Sequence, residues 1–175
     1  MKEIIKPYKK EFDYSYTSGA YATIELLKAR PDCLQTVYLH SDFYEKEKIA
    51  DLCAQNNLSL VCSDMVFKRV NQKENSYVLG LFKKYPSAIR HSAPHVVLVN
   101  PGDMGNLGTI IRTLAGSSIR DLALITPAAD IWNPKTIRAS MGSLFHINFQ
   151  HFGSMDDYQN AHPRRQIFTF MLDGT

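Results

Sequence analysis

No run of roughly 18 consecutive apolar residues, the length a membrane-spanning helix needs, occurs in this chain. The opening Met1-Lys2-Glu3-Ile4-Ile5-Lys6 is charged and lacks the apolar stretch of a secretory signal, so the cytoplasm is the expected compartment. Cysteine is scarce: Cys33, Cys53 and Cys62 are odd in number and form no CxxC pair. That spacing excludes a disulfide framework and a cysteine-based zinc site, and leaves reduced structural thiols. Cys53 falls on a helical apolar stripe and Cys62 at a strand end, positions that favour burial. His91 and His95 lack metal-ligand spacing, and no metal is expected. The chain has neither the Gly-Lys-Ser/Thr ending of a P-loop nor a GxGxxG turn. Ala139-Ser140-Met141-Gly142-Ser143 is not a GxSxG nucleophile elbow, so Ser140 and Ser143 read as turn residues.

What remains is an ordinary globular composition, 45% apolar over 175 residues, enough for one domain or two small ones. The formal charge of +3 is unevenly spread. Residues 1–94 hold 14 Lys/Arg against 11 Asp/Glu, and residues 95–175 hold 6 against 6. A basic front half is compatible with phosphate contact, and equally with a solvated surface.

The front half alternates helix and strand patterns. Ser18 is placed to cap a helix reaching about Ala29, with Pro31 just beyond. Strands are expected at 36–39, 58–62 and 77–82, and helices at 43–56 and 64–71. Residues 83–94, KKYPSAIRHSAP, have no apolar period and read as a linker and domain boundary.

The second half restarts with His95-Val96-Val97-Leu98-Val99, a continuous apolar run suited to a parallel strand buried on both faces. A turn from Pro101 to Gly105 leads into a helix at about 106–116, where Leu107, Ile110, Ile111 and Leu114 form one apolar stripe. At about 100° per residue Arg112 points away from that stripe, with Thr109 and Gly116 near it. Asn106 is expected at the helix start, where free N–H groups can meet an anion or where it serves as the cap. Further strands are expected at 121–125, 144–149 and 166–171, with helices at 134–139 and 154–161. The last three residues, Asp173-Gly174-Thr175, read as a turn with no element after it. Trp132 and Phe145 are candidates for base stacking or core packing. Arg138 is a candidate phosphate contact or helix-end charge. Lys68, Arg69, Lys73, Lys83 and Lys84 could form a basic strip or a solvated face.

The run N100-P-G-D-M-G-N-L-G-T-I-I-R-T113, following a hydrophobic strand, resembles the first motif of the TrmH/SpoU-type RNA ribose 2′-O-methyltransferases of the SPOUT superfamily. D130-I-W-N-P-K-T-I-R-A-S-M-G-S-L-F145 resembles that family's next block. The front half resembles the L30e-like substrate-binding domain such enzymes often carry. The resemblance implies an α/β protein: residues 1–88 a small L30e-like sandwich that binds RNA, and residues 89–175 an incomplete SPOUT-type parallel domain lacking the C-terminal knot. It implies methyl transfer from S-adenosylmethionine to a ribose 2′-hydroxyl of rRNA or tRNA, by a homodimer, with Arg112 activating the hydroxyl and Asn106 shaping the site. RNA contacts are expected from Arg138, Lys68, Arg69 and Lys73. The family's Gly-Asn-Glu-Gly-like loop and Ser-Leu-Asn-like stretch, which hold the donor, do not occur in the 175 residues. The resemblance therefore places the cofactor-binding residues beyond Thr175 and none of them within the chain. By itself the chain is expected to be an inactive piece of a longer enzyme that does not bind the donor. The alternative is a non-catalytic RNA-binding protein on the same fold.

Overall fold

The structure is a computed structural model and describes residues 5–70 and 76–170. Two sheets share the work. The first has four strands in the order β1-β4-β2-β3: β1 (Tyr14–Tyr16), β2 (Leu34–Leu39), β3 (Ser59–Cys62) and β4 (Val78–Lys83). β2 and β3 run parallel, while β4 is antiparallel to both β1 and β2. Helices α1 (Ala20–Ala29) and α2 (Lys46–Gln55) cover one face, burying Leu26, Leu27, Ile49 and Cys53 against Val37, Leu39, Val78 and Phe82. Helix α3 (Asp64–Val70) covers the other, where Phe67 and Val70 meet Tyr16, Leu79 and Leu81. The period-2 alternation along β4 sorts its side chains between these two cores.

The second sheet is parallel, in the order β5-β6-β7: β5 (His95–Val99), β6 (Asp121–Ile125) and β7 (Asn148–Phe152). Helix α4 (Met104–Gly116) makes the first crossover, α5 (Pro134–Ala139) and a 3-10 turn over Ser143–His146 the second, and α6 (Met155–Ala161) follows β7. The stripe of α4 packs as its spacing requires: Leu107, Ile111 and Leu114 are buried and Ile110 half-buried.

Several sequence expectations change. β1 is not visible as a pattern because it is three residues long. The cap of α1 is Gly19 in the positive-φ region at 97°, not Ser18, whose hydroxyl shares a hydrogen bond with that of Ser76. β6, not β5, is the strand buried along its whole length; among the described residues β5 is an edge strand, half-buried and ending at exposed Val99. The strand expected at 144–149 begins at Asn148, because Gly142, at φ 78°, first winds the chain into the 3-10 turn. Residues 166–170 pair with no strand and are exposed, Phe168 and Phe170 among them, so the expected last strand is not formed there. Met171, and the turn expected at Asp173, Gly174 and Thr175, lie outside the described residues. Cys62 is exposed rather than buried, since an edge strand presents that side chain to solvent.

The two sheets are joined by one continuous core. Leu26, Leu27 and Phe82 of the first belong to the same buried cluster as Leu107, Leu124, Ile137 and Phe145 of the second. The rings of Phe82 and Phe145 meet edge to face, centroids 5.4 Å apart. A Cβ on Gly142 would sit 2.8 Å from the Glu25 Cβ and 3.0 Å from the Ala22 Cα, so a bare backbone is needed where α1 crosses.

Candidate active site

Open parallel α/β sheets hold ligands at the carboxyl ends of their strands, and here the turn from Asn100 to Asp103 lies at that edge. Asn100 leaves β5 with φ 50°, a conformation asparagine tolerates, and its N–H donates to the Ile125 carbonyl at 3.1 Å. The neighbouring turn after β6 is tied to it: the Ala129 N–H donates to the Pro101 carbonyl at 2.7 Å. The motif turn is thus anchored to the end of β6 and to the turn that follows it.

Helix α4 begins at Met104, two residues before the sequence placed it. Its cap is Asp103, whose carboxylate accepts the Asn106 N–H at 2.7 Å. Asn106 is therefore not the cap, and its own amide already has an internal anion as partner. The Asn106 side chain is exposed. The signal for Asp103 was present, an aspartate directly ahead of the apolar period.

Gly108 is not a turn residue. It is buried on α4, and an added Cβ would lie 2.5 Å from the Ala139 Cβ and 2.6 Å from the Thr136 carbonyl. The glycine lets α5 cross α4 backbone to backbone, which fixes the second motif block against the first.

Arg112 is exposed, with no hydrogen bond or ion pair among the described residues. Eight residues separate it from Met104, so its Cα lies about 12 Å down the helix from the rim. Helical side chains lean toward the N-terminus, which turns the guanidinium back toward the sheet edge. Thr109, Thr113 and Gly116 surround it as an exposed face. Arg138 is exposed on the last turn of α5, the helix packed on α4. Lys68 and Arg69 are exposed on the last turn of α3. That helix covers the face of the first sheet opposite the one joined to the second sheet, so these two residues are not brought together with Arg112 and Arg138. Lys73 lies outside the described residues. So does Thr175, past which the cofactor-binding residues are expected, and the described residues bear on no part of that expectation.

Other candidates resolve into packing. Trp132 is half-buried among Phe82, Tyr85 and Phe149, with ring centroids 4.8 to 5.8 Å away. Phe145 is core. The buried Ser140 hydroxyl donates to the Ile137 carbonyl at 2.8 Å. The rings of His91 and His95 both meet that of His162, tilted and edge to face respectively, at the opposite edge of the sheet, and no cluster of metal-binding side chains is found among the described residues.

Beside the motif turn the two halves enclose a cleft of about 390 Å3, lined by Lys10, Phe12, Lys84, the turn from Thr126 to Trp132, and His151. Sequence reading missed it, because its walls come from residues more than a hundred positions apart. The Tyr8 hydroxyl donates to Asp130 Oδ2 at 2.5 Å, and the Trp132 N–H donates to Asp130 Oδ1 at 3.0 Å. Burial, then the hydrogen bond to Asp130, pushes the Tyr8 phenol far above its ordinary pKa, so it stays a donor. Burial, followed by the charge of Lys10, lowers the pKa of His151 and favours its neutral form.

Residues 93–175 match the SpoU rRNA Methylase family. The mitochondrial rRNA methyltransferase 3 of Mus musculus is 37% identical over 79 residues, 40% of this chain and 19% of that protein. The 23S rRNA (guanosine(2553)-2′-O)-methyltransferase RlmP of Bacillus subtilis is 34% identical over 86 residues, 49% of this chain and 35% of that protein. Among solved structures, the SpoU methyltransferase AviRb of Streptomyces viridochromogenes in complex with AdoMet superposes with a TM-score of 0.69 at 17% identity, covering 85% of this chain and 58% of that one. The chain thus spans about a third or less of these curated relatives and somewhat over half of the solved neighbour. The parallel sheet and the anchored glycine-rich turn lie within the matched residues, and residues 93–175 are similar to the SpoU rRNA Methylase family.

Proposed function

We propose that the protein transfers a methyl group from S-adenosylmethionine to a ribose 2′-hydroxyl of RNA, with rRNA or tRNA as substrate. The observation that carries this is Arg112, a guanidinium without a partner among the described residues, on the exposed face of α4 directly behind the motif turn. The relatives' names supply the reaction class: RlmP is a 2′-O-methyltransferase of 23S rRNA. AviRb binds AdoMet. The donor's sulfonium supplies an electrophilic methyl carbon. No residue of this chain is assigned to holding it, because the two donor motifs that the family resemblance implies do not occur among the 175 residues.

The acceptor side follows from chemistry. A 2′-hydroxyl is a weak nucleophile until its proton leaves. A guanidinium stays charged at any relevant pH and stabilises the negative charge that the 2′-oxygen gains as its proton passes to solvent; that oxygen then forms the C–O bond while the S–C electron pair returns to the donor's sulfur. Arg112 therefore acts by lowering the cost of that oxygen's negative charge or by fixing a neighbouring phosphate. Asn106, exposed in the first turn of α4, shapes the helix start between the motif turn and Arg112. Arg138 on the adjacent helix is the second cation available to the backbone. Lys68 and Arg69 would meet RNA only where it wraps onto the far face of the first sheet. The first sheet as an RNA-holding module, with its boundary at residue 88, and a homodimeric enzyme complete the proposal.

The test is Arg112→Ala in the protein that carries this chain, scored by labelled methyl incorporated at ribose 2′ positions of RNA. The expected outcome is a loss of transfer of about 100-fold or more with an unchanged melting temperature, since the side chain touches no core. Near-normal transfer would remove Arg112 from the chemistry. A wild-type protein that binds RNA and never methylates it would favour the non-catalytic alternative.

A further inference from the structure

The cleft between the halves carries an inference that rests on the RNA reading above and gives it a place on the molecule. Two contacts across the seam, and a third within the first half, shape the cleft before any ligand arrives. Tyr8 donates to Asp130 at 2.5 Å, the Ser15 hydroxyl donates to the Trp132 carbonyl at 2.6 Å, and the Lys84 ammonium donates to the Lys10 carbonyl at 2.9 Å. That ammonium also lies 4.8 Å from the centre of the Tyr8 ring. The volume of about 390 Å3 falls in the range that holds small ligands.

The lining selects a chemistry. Lys10 projects an exposed ammonium at the mouth, with Lys84 half-buried behind it. The one carboxylate, Asp130, is occupied by two internal donors and does not face the ligand unpaired. Phe12 is half-buried and offers a ring face at the wall, stacked on Tyr14 at 5.0 Å. His151 adds a second flat ring with a donor and an acceptor. Two cations flanked by two flat rings suit an anion joined to an aromatic base, the pairing by which single-stranded nucleic acid is held. The floor of the cleft is the turn whose Ala129 N–H bonds Pro101, so an occupant lies beside the motif turn.

We propose that this cleft holds one unpaired nucleotide of the RNA substrate, with its base against Phe12 and His151 and its phosphate on Lys10 and Lys84. A nucleotide anchored there would fix the register of the strand, and so which ribose reaches Arg112.

The chain's sole tryptophan, Trp132, lines the cleft and reports on it directly. The experiment titrates the protein with a fluorescein-labelled single-stranded oligoribonucleotide, reading label anisotropy and, with unlabelled oligomer, Trp132 emission. Inorganic phosphate, adenosine monophosphate and S-adenosylmethionine are run as separate arms. RNA is expected to raise anisotropy and change Trp132 emission over the same concentration range, with phosphate alone having no effect. Lys10→Glu is expected to weaken RNA binding by roughly tenfold, and Phe12→Ala by roughly fivefold or more. Lys48→Glu, an exposed charge on α2 outside the cleft, is expected to leave binding within about twofold. Among the described residues Lys10 hydrogen-bonds through its backbone carbonyl and not its side chain, so Lys10→Glu stays interpretable if Phe12→Ala unfolds. An anisotropy rise with unchanged Trp132 emission and no effect of Lys10→Glu overturns the cleft and leaves RNA binding standing elsewhere. A Trp132 response to S-adenosylmethionine but not to RNA overturns it also. Absence of any anisotropy rise overturns the cleft and the RNA reading together.

Discussion

Asp121 shows how one residue can matter without touching the candidate site. It opens β6 and is fully buried, and its carboxylate accepts the Arg90 N–H at 2.8 Å, the Arg90 guanidinium at 2.6 Å and the Asn148 amide at 3.1 Å. Burial pushes its pKa up, but the hydrogen bonds from Arg90 and Asn148 outweigh that and hold it below the usual range. A depressed folded-state pKa gives stability that is complete above the unfolded value of about 3.9 and lost as pH falls through the folded one. His95 and His162 also have lowered pKa values, mainly through burial, so the fold prefers them neutral. Their contribution is complete above about pH 6.5 and declines below it. The melting temperature is therefore expected to fall in two stages on acidification, first below about pH 6.5 and again below about pH 3.9. Asp121→Asn should shrink the lower stage, to which Glu25, Asp32 and Asp64 also contribute, and leave the upper one; an unchanged lower stage would refute the role given to Asp121. Asp121→Ala, which leaves Arg90 and Asn148 donors unpaired, should cost about 1–3 kcal/mol in chemical denaturation. None of this was readable in the sequence, because an aspartate at a strand start signals nothing until Arg90, 31 residues earlier, is placed against it.

At the scale of elements, the pairing of α4 with α5 depends on Gly108. Gly108→Ala places a methyl inside the contact with Ala139 and the Thr136 carbonyl, and backbone cannot yield as a flexible side chain would. Destabilisation of about 1–3 kcal/mol is expected, measurable as a lower denaturation midpoint. Gly116→Ala, where a Cβ meets nothing within 4 Å, is the control and should be neutral or slightly stabilising. The helix itself was legible: Leu107, Ile111 and Leu114 recur at the period that buries them, and Arg112 falls on the exposed side as 100° per residue demands. The reason for Gly108 was not legible, since a glycine inside a helix names no partner. The last expected strand failed for a related reason. An apolar run such as Ile167 to Phe170 shows β-propensity, while a strand requires a neighbour with free edge groups in register.

Across the whole molecule, the decisive feature is that one core serves both sheets. Phe145 sits between Phe82 of β4 and the helices of the second half. Phe145→Ala is expected to cost about 3–5 kcal/mol and to lower a single cooperative transition, followed both by Trp132 fluorescence and by far-ultraviolet dichroism. Two separated transitions in the wild type would contradict a shared core. The alternation of elements, and so the α/β class, was visible from hydrophobic period alone. The seam was not: Tyr8 with Asp130, Ser15 with Trp132 and Gly142 with Ala22 are pairings of residues 117 to 122 positions apart, with nothing local to announce them.

The flank of β5 left without a strand among the described residues has a consequence for handling the protein. One side of that strand carries amides and carbonyls that pair with β6, while the other meets no strand among the described residues. Half-buried Val97 and exposed Val99 bear no charge to turn away a foreign backbone. Concentrated preparations thus have a ready seed for stacking molecule on molecule, and Val99→Lys is the least invasive way to blunt it.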